Sequence, residues 1–337
     1  IYRPVREKIP ETLQSIARKL IQNTGYEELS LSSLSTSDYT QLMPLVEKLI
    51  EEYKDKGVGL SLPSLRIDSF SVKLIEEIQK IRKTGLTFAP EAGTQRLRNV
   101  INKGVTQEDL LSSTSEAFAA GWGTIKLYFM IGLPTETYED LAGIADLGNK
   151  VLQQYYQLNR EKRNKNVRIT ISTSSFVPKA FTPFQWEPQN TMDELRDKQK
   201  FLKEKIKSRK IHYSWHESKT SFLEAVFARG DRRLGKVILT AWQKGCKFDG
   251  WDEYFCFSSW LEAFAENGID PAFYANRRRE YDEVLPWDFI DIGVTKDFLI
   301  REHKNALREK VTPYCRQGCV NCGIQDFDGG WTCYGNC

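Results

Sequence analysis

The chain has 337 residues, of which 40% are hydrophobic and 28% are charged, and its mean hydropathy is −0.48. This composition excludes a disordered protein, and the length predicts two domains. The net charge of +3 is too small to predict nucleic-acid binding from the overall field. The longest uncharged apolar stretch, residues 127–134, is too short to span a bilayer, so we expect a cytosolic protein.

Helix and strand patterns alternate from the amino terminus to about residue 186. The predicted helices cover residues 10–22, 40–54, 70–82, 94–102, 107–120 and 138–156, and the predicted strands cover residues 28–34, 58–62, 86–89, 125–131 and 167–177. This alternation predicts an α/β fold with a parallel sheet and helices outside it, a full or partial barrel. Folds of this type place their chemistry at the ends of the strands.

Three prolines, Pro178, Pro183 and Pro188, interrupt this alternation. We therefore predict a boundary near residue 190, with a partial barrel over residues 1–190, a mostly helical module over residues 191–310 and a cysteine-rich tail over residues 311–337. The aromatic residues crowded between Phe248 and Phe264 are interpreted as the core of the helical module.

Three segments at predicted strand ends carry the residue types that bind polar ligands. Residues 89–94 (APEAGT) offer the Glu91 carboxylate and backbone amides at a helix start. Residues 131–137 (IGLPTET) place Gly132 where a ligand could approach the backbone. Residues 176–185 (FVPKAFTPFQ) form the third segment. Each segment alone is compatible with ordinary turn chemistry, but their order and spacing together resemble one family.

Through these motifs, residues 1 to about 186 resemble radical S-adenosylmethionine (SAM) enzymes, in the branch that often carries a cobalamin-binding domain and is related to methylthiotransferases. The resemblance implies a partial TIM-type (β/α) barrel that binds SAM and a 4Fe-4S cluster. It also implies roles for residues of this chain. Ser33 and Ser35 stand where the family holds the SAM amino group, and Glu91 faces the ribose or the amino-acid part. Arg66 or Lys126 meets the SAM carboxylate, and the strand ending at Gly132 flanks the adenine.

The family's cluster motif, CxxxCxxC, is absent from the expected place, because no cysteine precedes Cys246. In relatives a run like residues 2–7 (YRPVRE) follows that motif closely. We therefore expect this chain to begin just past the cluster loop, and we expect residues 1–337 alone to be inactive.

Five of the seven cysteines lie near the carboxyl end, at Cys315, Cys319, Cys322, Cys333 and Cys337. The first three have the spacing of the family motif, and three such thiolates can bind an iron–sulfur cluster or a zinc ion. The position after the helical module indicates an auxiliary or structural centre, with Cys333 or Cys337 as a fourth ligand. The alternative is a disordered tail without metal.

Two further patterns have ordinary interpretations beside functional ones. His212 and His216 have the spacing of one helix face, but we interpret them as surface or core histidines rather than as a metal pair. The basic run over residues 196–210 could bind RNA phosphates, yet Asp197 and Glu204 interrupt it, and we favour a solvated helix face.

The leading hypothesis is a radical SAM enzyme whose intact form transfers an electron from the cluster, splits SAM to a 5′-deoxyadenosyl radical and abstracts hydrogen from a substrate. Methyl or methylthio transfer are candidate outcomes, a cobalamin domain upstream would favour methyl transfer, and ferredoxin or flavodoxin would be the electron donor. The alternative is a barrel without catalysis that serves as a binding scaffold, with RNA as a candidate partner. An intact upstream CxxxCxxC motif would favour the enzyme.

Overall fold

The computed structural model describes residues 7–33, 36, 39–61, 86–164, 166–315 and 317–326. The helices are α1 (Pro10–Thr24), α2 (Leu42–Tyr53), α3 (Gln95–Val100), α4 (Gln107–Ala119), α5 (Tyr138–Gln157), α6 (Met192–Lys205), α7 (Ser218–Ala228), α8 (Leu234–Gln243), α9 (Phe257–Glu266), α10 (Pro271–Ala275) and α11 (Lys296–Leu307). The strands are β1 (Glu28–Ser30), β2 (Gly59–Ser61), β3 (Leu86–Glu91), β4 (Thr124–Ile131), β5 (Arg168–Ser175) and β6 (Ile211–Trp215). The helix predicted over residues 70–82 lies outside the described residues.

The strands form two parallel sheets. β1 pairs with β2, and the second sheet has the order β3-β4-β5-β6. Along β4, Ile125, Leu127 and Phe129 are buried against the helices, whereas Lys126 and Tyr128 on the opposite face are only half-buried. Parallel strands with helices over one face are the architecture of a partial (β/α) barrel, so the predicted fold class is confirmed.

The sequence fixes the start of three helices that cover this sheet. Each helix begins with a capping box, in which a threonine side chain accepts a hydrogen bond from the backbone N–H of an acidic residue three positions later, and that residue's carboxylate accepts one from the threonine N–H. The pairs are Thr106 and Asp109 for α4, Thr137 and Asp140 for α5, and Thr191 and Glu194 for α6. Because α5 and α6 begin directly after the loops that follow β4 and β5, these caps hold the loops at the carboxyl edge of the sheet.

The sheet continues past residue 190. β6 pairs in parallel with β5, from Ile169 opposite Ile211 to Thr173 opposite Trp215. His212 lies within β6, so it shares no helix face with His216; both side chains are exposed, which confirms their interpretation as surface histidines. The lysine-rich run before it obscured a short strand in which Ile211 is buried in the sheet core. The division into domains near residue 190 stays a prediction.

The chain after β6 is mostly helical, and its core includes Phe222, Trp260 and Phe264. The interpretation of the whole aromatic cluster as core is wrong for part of it, because Phe248 and Trp251 are 68% and 59% exposed. These two rings project from the turn between α8 and α9. In the described part of the chain, no helix is both long and apolar enough to cross a membrane.

Candidate functional site

A cavity of about 460 Å³ lies at the carboxyl edge of the sheet. The ends of β3, β4 and β5 form its floor through Glu91, Met130 and Phe176. Helix α11 forms the opposite wall through Phe298 and Glu302. Open α/β folds bind their ligands at this edge, so this cavity is the candidate site.

Glu91 is the acidic residue on the sheet side of the cavity. Its backbone has a φ of 67°, in the left-handed region that costs a non-glycine residue about 1–2 kcal/mol. Its carboxylate lies 3.3 Å from the ammonium group of Lys103, and both side chains are partly exposed. The site therefore pairs a carboxylate and a cation at its floor.

The turn after Glu91 is packed tightly against the start of α5. A Cβ atom on Gly93 would collide with the backbone of Asp140, Gly143 and Ile144. The Asp140 carboxylate in turn accepts hydrogen bonds from the Thr94 hydroxyl and the Arg96 guanidinium. These contacts fix the position of the turn that carries Glu91.

Gly132 lies at the end of β4, next to the cavity residue Leu133, with a φ of 79°. Its N–H donates to the Glu136 carboxylate over 2.8 Å, so this amide is already used within the protein. Glu136 is buried and pairs with Lys198 of α6 at 2.7 Å, and Lys198 also donates to the Asn190 side chain at 2.8 Å. Burial raises the pKa of Glu136, although the neighbouring Lys198 acts in the opposite direction.

Two of the remaining predicted SAM-binding residues, Lys126 and Ser33, are described by the structure, and neither lines this cavity. Lys126 is the third residue of β4, near the amino edge of the sheet, and its ammonium group donates to the Tyr128 hydroxyl at 2.7 Å. Ser33 lines a separate cavity of about 190 Å³ beside α1 and contacts the Thr36 hydroxyl at 3.3 Å. Ser35 and Arg66 lie outside the described residues. Their roles toward SAM stay predictions.

Sequence reasoning missed the residues that the carboxyl-terminal part adds to the cavity. Glu302, Lys310 and Thr312 line it from α11 and from the segment after that helix. Asn102 and Thr312 exchange two hydrogen bonds, each of 3.0 Å, and so fasten this segment to the loop after α3. A local sequence pattern cannot predict a contact between residues that lie 210 positions apart.

A buried polar network anchors α11 beside the cavity. His303 lies 2.9 Å from the Glu187 carboxylate through Nε2 and 2.5 Å from the Tyr281 hydroxyl through Nδ1. Arg278 pairs with the other carboxylate oxygen of Glu187 at 2.6 Å. The network joins the loop after β5 to α11, and the ring of Phe184, a cavity residue, packs against His303.

The cysteine segment packs on the other end of α11. Cys322 is buried and accepts a hydrogen bond from the Thr295 N–H through its carbonyl, and the Arg301 guanidinium donates to the Val320 and Asn321 carbonyls. The Asn321 N–H donates to Cys319 Sγ over 3.4 Å. Within residues 7–326, as far as they are described, no three His, Cys, Asp or Glu side chains form a group that could hold a metal ion. Cys333 and Cys337 lie outside the described residues.

The fold and the cavity define a class of protein, a parallel α/β protein of partial-barrel type with a candidate site at the carboxyl edge of its strands. Residues 1–148 match the family model of the Radical SAM superfamily. The amino-terminal part of the chain is therefore similar to the radical SAM superfamily.

Two individual proteins are similar to the chain. An uncharacterised protein of Methanocaldococcus jannaschii is 30% identical over 239 residues, which are 71% of this chain and 49% of that protein. The chain thus spans about half the length of this relative. The structure of an archaeal Elp3 from Methanocaldococcus infernus with an amino-terminal deletion is 12% identical, with a TM-score of 0.39 over 64% of this chain and 57% of that one.

Proposed function

We propose that the intact protein is a radical SAM enzyme and that SAM binds in the cavity at the carboxyl edge of the sheet. The observation that carries this proposal is the lining of the cavity, where the carboxylate of Glu91 and the ammonium group of Lys103 lie among apolar walls from Met130, Phe176 and Phe298. SAM combines a charged amino-acid part with a purine, and this lining suits both parts.

The two cofactors of the family differ in how they fit this chain. SAM fits the cavity for the reasons above. The radical cluster does not fit, because its thiolate ligands are absent from the 245 residues before Cys246, and we derive no step through it. When both are bound in an intact enzyme, reductive cleavage of SAM is the chemistry that they supply.

The residues of this chain would bind SAM and exclude water from it. Glu91 would attract the cationic part of SAM, and Lys103 would pair with its carboxylate. Lys103 takes this role in the proposal in place of Lys126, because it lies beside Glu91 whereas Lys126 lies near the other edge of the sheet. Phe176 and Phe298 would cover apolar surface of the ligand.

Calorimetric titration with SAM and with S-adenosylhomocysteine tests the proposal. A charge-assisted hydrogen bond contributes about 1.5–3 kcal/mol, so we expect Glu91→Gln to weaken binding roughly 10- to 100-fold. We expect Lys103→Met to weaken binding as well, whereas its matched control Lys126→Met leaves it unchanged. Unchanged binding by a folded Glu91→Gln variant would show that SAM does not use this cavity.

We also propose that Cys315, Cys319 and Cys322, which do not form a metal-holding group in the structure, come together when a second metal centre binds. The support is the hydrogen bond from the Asn321 N–H to Cys319 Sγ, since a backbone donor stabilises the thiolate that a metal requires. Gly323, with a φ of 96°, permits the turn that follows Cys322. Iron–sulfur cluster and zinc both suit three thiolates. Cobalamin in an upstream domain and a ferredoxin or flavodoxin partner stay predictions of the resemblance.

A further inference from the structure

The fold brings two basic segments together at the amino edge of the sheet. One segment is the loop from α5 into β5, and the other is the end of α6 with the loop into β6. Because β5 and β6 are parallel neighbours, the two loops meet at the same edge, where the Ile169 N–H donates to the Lys210 carbonyl at 2.9 Å. The sequence separates Arg168 and Lys210 by more than 40 positions, so the helix pattern alone did not show this meeting.

The exposed cations of these two segments form a surface that we call the basic rim. Its members are Arg160, Arg168, Lys203, Lys205, Lys207, Arg209 and Lys210. The acidic residues described in the same two segments are Glu161 and Glu204. The excess of positive charge at the rim is therefore larger than the net charge of +3 of the whole chain.

The rim cations differ from the other cations of α6 in their partners. Arg196 pairs with Asp193 at 3.0 Å, and Lys198 pairs with the buried Glu136. Among the described residues, none of the rim members forms an ion pair with a carboxylate. The exposed cations are therefore available to phosphates, and phosphates that they neutralise release the counterions condensed on a nucleic acid, which favours binding.

The backbone beneath the rim is held by hydrogen bonds. Arg163 donates to the Leu158 carbonyl at 2.8 Å and also to the Tyr156 carbonyl, and Asn164 donates to the Gly121 carbonyl at 3.0 Å. A surface with a fixed backbone loses less conformational entropy on binding.

Exposed aromatic rings lie beside cations of the two segments. At the amino edge, Tyr156 is 48% exposed beneath the Arg163 guanidinium. At the carboxyl end of β6, Trp215 is 40% exposed, and the Lys203 ammonium group lies 5.8 Å from its ring centroid. Cations beside exposed rings suit a nucleic acid, because phosphates meet the cations while unpaired bases stack on the rings. An acidic peptide would use the cations only.

We propose that the basic rim binds the phosphodiester backbone of a nucleic acid. The rim lies at the amino edge of β5, and the eight residues of that strand span roughly 26 Å, so the rim is separate from the cavity at the carboxyl edge. Nucleic-acid binding at the rim is therefore independent of SAM binding, and either proposal can fail alone.

Fluorescence anisotropy with a labelled single-stranded oligoribonucleotide of about 20 nucleotides tests this proposal. The rim variant carries Lys207→Glu, Arg209→Glu and Lys210→Glu. The matched control carries Lys236→Glu, Lys247→Glu and Lys304→Glu, three exposed lysines outside the rim with the same change in net charge. We expect the rim variant to bind at least about 10-fold more weakly, with a salt slope reduced by roughly 2, and the control to stay within about 2-fold of the parent protein.

Three results would overturn the proposal. They are equal losses in the rim variant and the control, no binding of RNA or DNA by the parent protein at 0.1 M salt, and competition by polyglutamate as strong as competition by unlabelled RNA. Equal binding of RNA and DNA of one sequence supports recognition of the backbone alone, and tighter RNA binding supports it with added contacts to the 2′-hydroxyl. A variant with glutamine at the same three rim positions replaces the glutamate variant if the latter does not melt cooperatively.

Discussion

Replacement of Lys198 by methionine removes the charged partner of a buried carboxylate. Glu136 is almost fully buried and Lys198 is only slightly exposed, and their charged atoms lie 2.7 Å apart. In Lys198→Met, Glu136 keeps the Gly132 N–H as a hydrogen-bond donor but loses its cation. Breaking a buried ion pair in this way costs about 3–5 kcal/mol, and we expect about 3 kcal/mol because the edge of this pair is open to water.

The cost should depend on pH. Burial raises the pKa of Glu136 in the folded protein, and loss of Lys198 raises it further. Between the unfolded and folded pKa values the folded state binds more protons than the unfolded state, so the free energy of unfolding falls as pH rises through the folded pKa. We therefore expect Lys198→Met to destabilise the protein more at pH 8 than at pH 5.5.

Urea denaturation of the parent protein, Lys198→Met, Glu136→Gln and the double variant at both pH values measures this effect. We expect the double variant to recover most of the loss, because a neutral amide does not require a buried cation. The same cost at both pH values, or no recovery in the double variant, would refute an uncompensated Glu136 charge as the cause.

Three further predictions concern other parts of the chain. Gly93→Ala should lower the free energy of unfolding by at least about 2 kcal/mol, because its Cβ would collide with the α5 backbone, whereas Gly104→Ala, where the space is open, should be nearly neutral in the same urea assay. Hydrogen bonds from Ser258 and Ser259 lower the pKa of the exposed Cys256 thiol to about 7, so its rate of alkylation by iodoacetamide should rise through a midpoint near pH 7, and Ser258→Ala with Ser259→Ala should move that midpoint upward. Anaerobically purified protein should contain iron with sulfide, or zinc, in stoichiometric amount, and Cys319→Ser should lose it while Cys246→Ser retains it; metal-free parent protein would contradict the second centre.

Helices and strands with a clear local pattern were predictable from the sequence. A short strand, and contacts between residues far apart in the chain, were not. The alternation of buried residues along β4 and the capping threonines of α4 and α5 are local signals, and the predicted strand over residues 125–131 lies within the observed β4. β6 has only five residues and follows a run of lysines, so its pairing with β5 decides its structure rather than its own pattern.

The candidate site shows the same division. Glu91 and the strand end near Gly132 were found from local motifs, and Glu91 lines the cavity. The resemblance implies Arg66 or Lys126 as the partner of the SAM carboxylate, but the position of Lys126 in β4 places it near the other edge of the sheet. Phe298 and Glu302 line the cavity because α11, which is distant in the sequence, packs against the barrel. The spacing of the barrel motifs does not predict this packing.

Helix α11 presents different surfaces to two regions that the sequence keeps apart. Phe298 and Glu302 face the cavity, while Arg301 donates to the carbonyls of the cysteine segment. Any free energy that orders the cysteine segment on α11 also favours the position of the helix that completes the cavity wall. If the proposed metal centre forms there, thermodynamic linkage requires that each partner help the other. A ligand in the cavity would then raise the affinity of the cysteine segment for metal by the same factor by which metal raises the affinity of the cavity for that ligand.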